Sequence, residues 1–359
     1  MKPTISLVMI VKDEERTLKR CLDSVAAYVD EIVIVDTGSQ DHTKQIAQQY
    51  HAKIVDYVWI QDFAAARNFA LSQSTSDWNL VLDADEYISN DCGEAMRTFI
   101  SQPVKHIGRI KRIDAFKGTD GVNYEQSYIS RLLPADCQYE GRIHEQVQSH
   151  YPRAIVDIEI QHDGYYEQSR SQRNIPILQA VLAEQPNDPY YLYQLAKEYR
   201  GLDEHELAFQ HVKEAYLHMQ GNENYAAGIV INLIYAIIAS GHLEVGLSVI
   251  ENEQQHFGHY PDFYFVSALY LLELILSDTE QYGDMLPLIE QFYQRALEIG
   301  ESDLEGSVRG TGSFAAHHNL GVFYEVTGQL EKAKEQYLLA ARYDYAPSLQ
   351  RLEGIQLSE

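Results

Sequence analysis

Up to about residue 165 the sequence alternates continuously apolar, β-branched runs with segments of helical period, and this alternation restricts the fold more than any other feature. ISLVMIV (5–11), EIVIVD (31–36), AKIVDYVW (52–59) and WNLVLD (78–83) read as strands. Between them, EERTLKRCLDSVAAY puts Leu18, Cys21, Leu22 and Val25 on one helical face, and KQIAQQY and AAARNFALSQS read as two more helices. Apolar strands separated by helices predict a parallel α/β sheet covered on both faces. In such sheets ligands bind beyond the carboxyl ends of the strands. Val11-Lys12-Asp13, Asp36-Thr37-Gly38 and Asp83-Ala84-Asp85 all fall at those ends.

From about residue 170 the chain becomes helical and repetitive. NLGVFYEVTGQLEKAKEQYLLAARYDYAP carries Leu320, Gly321, Tyr324, Gly328, Ala333, Tyr337 and Ala340, the tetratricopeptide pattern of small residues where paired helices touch. The same offsets recover Leu195, Ala196, Tyr199, Ala208, Val212 and Ala215. A copy over 227–260 keeps Leu233 and Gly241 but has Gly246 in place of an alanine, and a fourth after Pro261 is stretched. The expected organisation is therefore 1–168 for the α/β domain and 169–359 for the helical array. Stacked helix pairs form concave surfaces. The array either binds a partner, or forms a homodimer, or buttresses the first domain.

The formal charge is −25, from 53 acidic and 28 basic residues. A chain this acidic lacks the basic face that nonspecific binding to nucleic acid or anionic membrane requires. Cys21, Cys92 and Cys137 show neither metal-ligand spacing nor an even-numbered framework, so a reducing, cytoplasmic setting is expected. YAAGIVINLIYAIIASG (225–241) is the most membrane-like stretch. It is interrupted by Asn232 and falls short of the roughly 20 residues a spanning helix needs, so it reads as a buried helix.

LVLDADEY (80–87) ends an apolar run with Asp83, Asp85 and Glu86. Carboxylates this close repel. They either serve a hard divalent cation, which takes oxygen ligands and is often shared with phosphates, or form a polar turn. Taken together, ISLVMIVKDEE, IVDTGSQDHT, DFAAARNFAL and LVLDADE, in that order, resemble the family 2 glycosyltransferases with the GT-A nucleotide-sugar-binding fold. The resemblance covers about 1–165, and the helical half is similar to tetratricopeptide arrays that follow such domains in some bacterial members. It implies an α/β GT-A domain followed by an all-α array.

By the same resemblance, Asp85 is the direct ligand of Mn2+ or Mg2+. Asp83 reaches the ribose or the metal's water shell, and Asp36 bonds the nucleobase. Ile10 and Lys12 flank the base, Glu14 and Ala84 belong to the donor site, and Arg67 contacts the nucleotide. Two of these residues have purely structural alternatives: a helix-surface ion pair for Arg67 and a turn or cap for Asp36. Asp41 and Thr43 read as caps. Where many relatives carry two adjacent acids this chain has Asp36-Thr37, and Glu86 either joins the metal shell or caps the next turn.

Farther on, YEGRIHEQV places Glu145 where the family keeps the base that deprotonates the acceptor, with His144 as its partner or as a phosphate donor. The alternative for Glu145 is a half-exposed strand position. IVDIEIQHDGY ends with His162, either the late histidine ligand of the metal or a structural histidine bonding a loop. Arg131 and Arg142 offset the pocket's carboxylates or contact phosphate. The implied activity is metal-dependent inverting transfer from a UDP-hexose or UDP-N-acetylhexosamine. The acceptor is a polypeptide, including the Cys or Ser of bacteriocin peptides that some relatives modify, or a surface or lipid-linked glycan. A noncatalytic nucleotide-binding scaffold is the alternative of another class. A nucleotidyltransferase would need a Gly-rich N-terminal loop, and LVMIVKDEER has no glycine.

Overall fold

The protein is described by a computed structural model covering residues 2–118, 121–162, 171–302 and 307–356. It comprises two compact units, Met1–Lys117 with Gln126–Val181, and Gly118–Glu125 with Leu182–Glu359. The expected boundary at 168 and 169 lies outside the described residues, as do the residues that follow His162 in IVDIEIQHDGY.

In the first unit, β1 (Ile5–Val11) pairs in parallel with β2 (Glu31–Asp36) and β4 (Trp78–Val81), and β2 with β3 (Lys53–Asp56). The uninterrupted apolar run of β1 serves two cores, because side chains alternate across a sheet. Leu7 and Met9 pack with Leu18 and Leu22 of α1 (Leu18–Val25). Val8 packs on the other side with Ala70 and Leu71 of α3 (Phe63–Ser72). The same unit also contains α2 (Thr43–Gln49) and α4 (Gly93–Ile100).

Beyond β4 the sheet becomes mixed. Its order is β3-β2-β1-β4-β7-β6-β10-β5, where β5 is Glu86–Ile88, β6 Ile107–Gly118, β7 Gly121–Pro134 and β10 Arg153–His162. The expected parallel arrangement therefore holds across the first four strands and returns only between β6 and β10. β7 lies antiparallel to β4, and β5 antiparallel to β10. The segment between β6 and β7 is too short for the crossover of a dozen or so residues that a parallel pair needs. A separate antiparallel pair, β8 (Gln138–Glu140) and β9 (Gln146–Gln148), encloses the loop that carries His144 and Glu145.

The helices run on as α5 (Ser171–Glu184), α6 (Pro189–Gly201), α7 (His205–His218), α8 (Ala226–Ser240), α9 (Gly246–Phe257) and α10 (Pro261–Ser277). The short α11 (Thr279–Tyr282), then α12 (Leu286–Ile299), α13 (Phe314–Val326), α14 (Leu330–Ala341) and α15 (Ala346–Gln356) complete the array. The helix pairs close where the repeat pattern puts small residues. A Cβ on Gly321 would stand 2.6 Å from the Tyr337 ring, and one on Gly246 would stand 2.2 Å from the Tyr270 ring. The glycine that replaces the repeat alanine at 246 thus admits a fully buried tyrosine. The apolar stretch at 225–241 forms α8, which is buried in this core. Among the described residues no helix is long and apolar enough to cross a membrane.

Asp262, near the start of α10, is buried and accepts the Val308 backbone N–H at 2.8 Å. Burial pushes its pKa from 3.8 up to about 7. A carboxyl raised in this way supports the fold fully below the unfolded value and withdraws that support as pH rises through about 7. Between pH 5 and pH 8, thermal unfolding of the wild type should therefore lose more stability than that of Asp262→Asn. Parallel pH profiles for the two proteins would contradict this assignment.

Candidate functional site

The loops leaving β1 and β2 brace one another. The Asp13 N–H donates to Ser39 Oγ at 2.9 Å, and Asp13 Oδ1 accepts the Gln40 N–H. The Glu14 N–H donates to Thr43 Oγ at 2.7 Å, and the Glu15 N–H to Asp41 Oδ2 at 2.9 Å. Asp41 and Thr43 are thus spent on loop geometry, and the Glu14 carboxylate accepts the Thr17 hydroxyl. Asp13 holds a left-handed backbone, φ 54°, a conformation seldom adopted away from glycine. Ile10 is half-buried at the end of β1, and Lys12 is exposed.

Asp36 is fully buried at the end of β2. Its Oδ1 accepts the N–H groups of Gly38 and Ser39, both at 2.9 Å. Burial opposes its charge, but these donors and Lys44 outweigh that and hold its carboxyl below the usual value. Its Oδ2 is buried with no hydrogen-bond partner. One oxygen makes the turn and the other is left over.

Asp83, Ala84 and Asp85 form the turn between β4 and β5. The Asp83 N–H donates to Glu86 Oε2 at 2.9 Å, and the Glu86 N–H returns to the Asp83 carbonyl at 3.1 Å. Glu86 therefore closes the turn with its own side chain. Ala84 and Asp85 are buried. Two guanidiniums grip Asp83, with Arg67 Nη2 on Oδ1 and Arg131 Nη2 on Oδ2, each at 2.8 Å. Burial opposes the Asp83 charge, yet the two arginines outweigh it and hold the carboxyl well below the usual carboxylate range. Arg131, on β7, also reaches Glu86 Oε1 at 3.0 Å.

Strand register brings His162 into this cluster. At the end of β10 it stands opposite Glu86 of β5 on one side and Asp114 of β6 on the other. Directly opposed residues share a face. His162 Nδ1 meets Asp114 Oδ1 at 2.5 Å, and Nε2 lies 3.3 Å from Asp85 Oδ2. Burial disfavours the imidazolium, but Asp114 and Asp85 prevail and push the pKa up to about 9. Arg112 Nε donates to Asp114 Oδ2 at 3.0 Å, and its Nη1 lies 3.8 Å from Glu86.

Glu145 ends the loop between β8 and β9, where Gly141 and His144 both take positive φ. It is ion-paired with Nε of Arg67, the same guanidinium that holds Asp83. Arg67 projects from α3 and is buried, which sets it apart from a helix-surface ion pair. Its Nη1 is buried without a hydrogen-bond partner. His144 is half-buried, and its carbonyl accepts Gln146 Nε2 at 3.2 Å. Arg142 is exposed, and its carbonyl accepts the Phe63 N–H at 2.8 Å.

The site thus gathers Asp83, Asp85, Glu86, Asp114 and Glu145 around Arg67, Arg112 and Arg131. The five carboxylates outnumber the three guanidiniums and the His162 ring together, so there is room for added positive charge. Among the described residues no three His, Cys, Asp or Glu side chains converge on one point. Asp85 with His162 nevertheless offers the mixed oxygen and imidazole donor set that suits manganese, and His162 has the carboxylate-anchored ring usual for a metal ligand. A divalent cation fits these two residues. Sequence reasoning missed Asp114 and Arg112. The sequence offered only the two-residue spacing Arg112-x-Asp114, which puts both charges on one face of a strand but does not say what that face meets.

Residues 6–155 match the family model described as glycosyl transferase family 2. The first unit therefore carries a domain of that family, and the architecture is the α/β GT-A domain with a following tetratricopeptide-like array that the motifs implied. A TPR repeat-containing protein of Synechococcus elongatus is 35% identical over 209 residues, 53% of this chain and 51% of its own length. The SPbeta prophage-derived glycosyltransferase SunS of Bacillus subtilis is a homologue, 25% identical over 323 residues, 83% of this chain and 65% of its own. The chain thus spans less than two thirds of either relative. Among solved structures, MamA aligns with 53% of this chain and 92% of its own, at 16% identity and a TM-score of 0.36.

Replacing Arg131 with methionine would leave a buried Glu86 and a half-buried Asp83 without the guanidinium they share. Breaking a buried charge pair from one side removes about 3–5 kcal/mol of stability. Chemical denaturation of Arg131→Met should show a loss of this order, and a loss within experimental error would mean that the network does not depend on Arg131.

Proposed function

We propose that the protein is a cytoplasmic, metal-dependent, inverting glycosyltransferase that moves a hexose or N-acetylhexosamine from its UDP conjugate to a polypeptide side chain, Cys or Ser. One observation carries the reading: spare bonding capacity at the carboxyl edge of the sheet. Asp36 Oδ2 is an unused acceptor and Arg67 Nη1 an unused donor, both buried. An unsatisfied buried polar group costs about 1–3 kcal/mol, so such atoms call for a ligand. A uracil N–H suits Asp36, with Ile10 and Lys12 beside the base, and a phosphate oxygen suits Arg67.

Asp85 and His162 would hold Mn2+ or Mg2+, with Asp83 at the margin because its oxygens already accept from two arginines. When bound, the ion supplies Lewis-acid stabilisation for the departing diphosphate. Glu145 takes the acceptor's proton as the acceptor attacks the anomeric carbon, and Arg67 sets the orientation of that carboxylate. His144, adjacent on a strained backbone, lines the same loop. For the acceptor, the support is the concave surface that tetratricopeptide-type stacks offer to peptides. For location, it is three cysteines that are free and buried.

Calorimetry of the full-length protein with UDP and manganese should show binding that requires the cation. Asp85→Asn keeps the shape of the side chain and removes its charge, so it should bind UDP far more weakly while its circular dichroism stays native. Equal affinity in this variant would remove Asp85 from the donor site.

Glu145→Gln should bind UDP-sugar nearly normally, with turnover reduced by about 100 to 10,000-fold for a hydroxyl acceptor, the range for losing a general base. A thiol acceptor is partly ionised near neutrality and needs less help. Its rate, read by mass spectrometry of the product, should fall much less. Equally mild losses with both acceptors would exclude Glu145 as the base.

A further inference from the structure

An imidazole can present a lone pair from only one nitrogen at a time, and the other nitrogen decides which. For His162 that other nitrogen is Nδ1, which faces Asp114 Oδ1 at 2.5 Å. Both side chains are buried and stand directly opposite one another on parallel strands. The second oxygen of Asp114 is also committed, accepting Arg112 Nε at 3.0 Å. Each carboxylate oxygen therefore has its own donor, and the group cannot turn without losing one of them. A carboxylate only accepts. The proton of a neutral His162 must then sit on Nδ1, which leaves the lone pair on Nε2, the nitrogen 3.3 Å from Asp85 Oδ2.

We infer that Asp114, with Arg112 behind it, is a positioning residue that fixes the His162 tautomer and ring plane so that Nε2 and the Asp85 carboxylate converge on one divalent cation. The inference rests on the metal-dependent reading proposed above and assigns a role to two residues outside the recognised motifs. It also predicts why an isosteric amide fails at position 114. Arg112 Nε still requires an oxygen, so the Asn oxygen turns toward it and the amide nitrogen faces His162. A donor then meets Nδ1, the proton is driven to Nε2, and the nitrogen facing Asp85 is blocked.

The test is manganese binding by the full-length protein in the presence of UDP, read from the electron paramagnetic resonance signal of free Mn2+. Asp114→Asn should weaken binding by about 10 to 100-fold, the usual effect of losing a carboxylate behind a metal-ligating histidine. His162→Ala should weaken it as well, and the double variant should be no weaker than His162→Ala alone, because Asp114 acts only through the ring. Additive losses would overturn the inference, as would wild-type affinity in Asp114→Asn. Wild-type protein that binds manganese no better than Asp85→Asn would overturn the metal reading itself and this inference with it. A second measurement needs no variant. Nitrogen-15 spectra of His162 in the wild type with magnesium and UDP should show the proton on Nδ1 and none on Nε2, and the reverse assignment would overturn the inference.

Discussion

The grip of Arg67 and Arg131 on Asp83 is the interaction on which the rest of the site depends. Three acidic residues in four positions at a strand end, two of them buried and Asp83 half-buried, could not be held there on their own, because each desolvated charge is costly unless paired. The two guanidiniums come from different elements, α3 and β7, and meet on the two oxygens of one carboxylate. They draw the middle of the sheet, its first helical layer and the acidic turn together. Arg67 then extends the linkage to Glu145, so the turn after β4 and the loop between β8 and β9 share one anchor.

A second chain of contacts, Arg112 to Asp114 to His162 to Asp85, approaches the same turn from the other half of the sheet. The two chains differ in what they leave open. Around Asp83 both oxygens are taken by guanidiniums. Asp85 faces an imidazole, a group able to exchange a proton for a metal. Neighbouring carboxylates of one short motif thus acquire different chemistry from the side chains set against them, Asp83 bound into the scaffold and Asp85 turned to a potential ligand.

Much of this was legible in the sequence. The parallel strands, the acidic turn and the repeat helices rest on local periodicity, and their elements fall where the patterns put them. Asp114 and Arg112 were not legible, because their place depends on β10 lying beside β6, a pairing that sets Asp114 against a residue 48 positions away and that no local period encodes. The mixed half of the sheet escaped for a similar reason, since the direction of β7 is set by how little chain separates it from β6. Arg131 could be suspected as a counter-charge, but its partners could not be read without the β4–β7 pairing. Gly246 looked like a damaged repeat position until the Tyr270 ring was seen to occupy the space beside it.

The position of β10 also bears on how the chain matures. Among the described residues it is the last strand of the sheet in sequence, yet it lies between β6 and β5, whose residues leave the ribosome long before it does. Until β10 arrives, β5 has no partner strand and β6 carries an open edge, the kind of unpaired edge that invites association with other chains. Long-range pairings of this sort are slow to form. The domain therefore cannot be finished in pieces as it is synthesised: the same late event that closes the sheet also sets His162 beside Glu86 and Asp114.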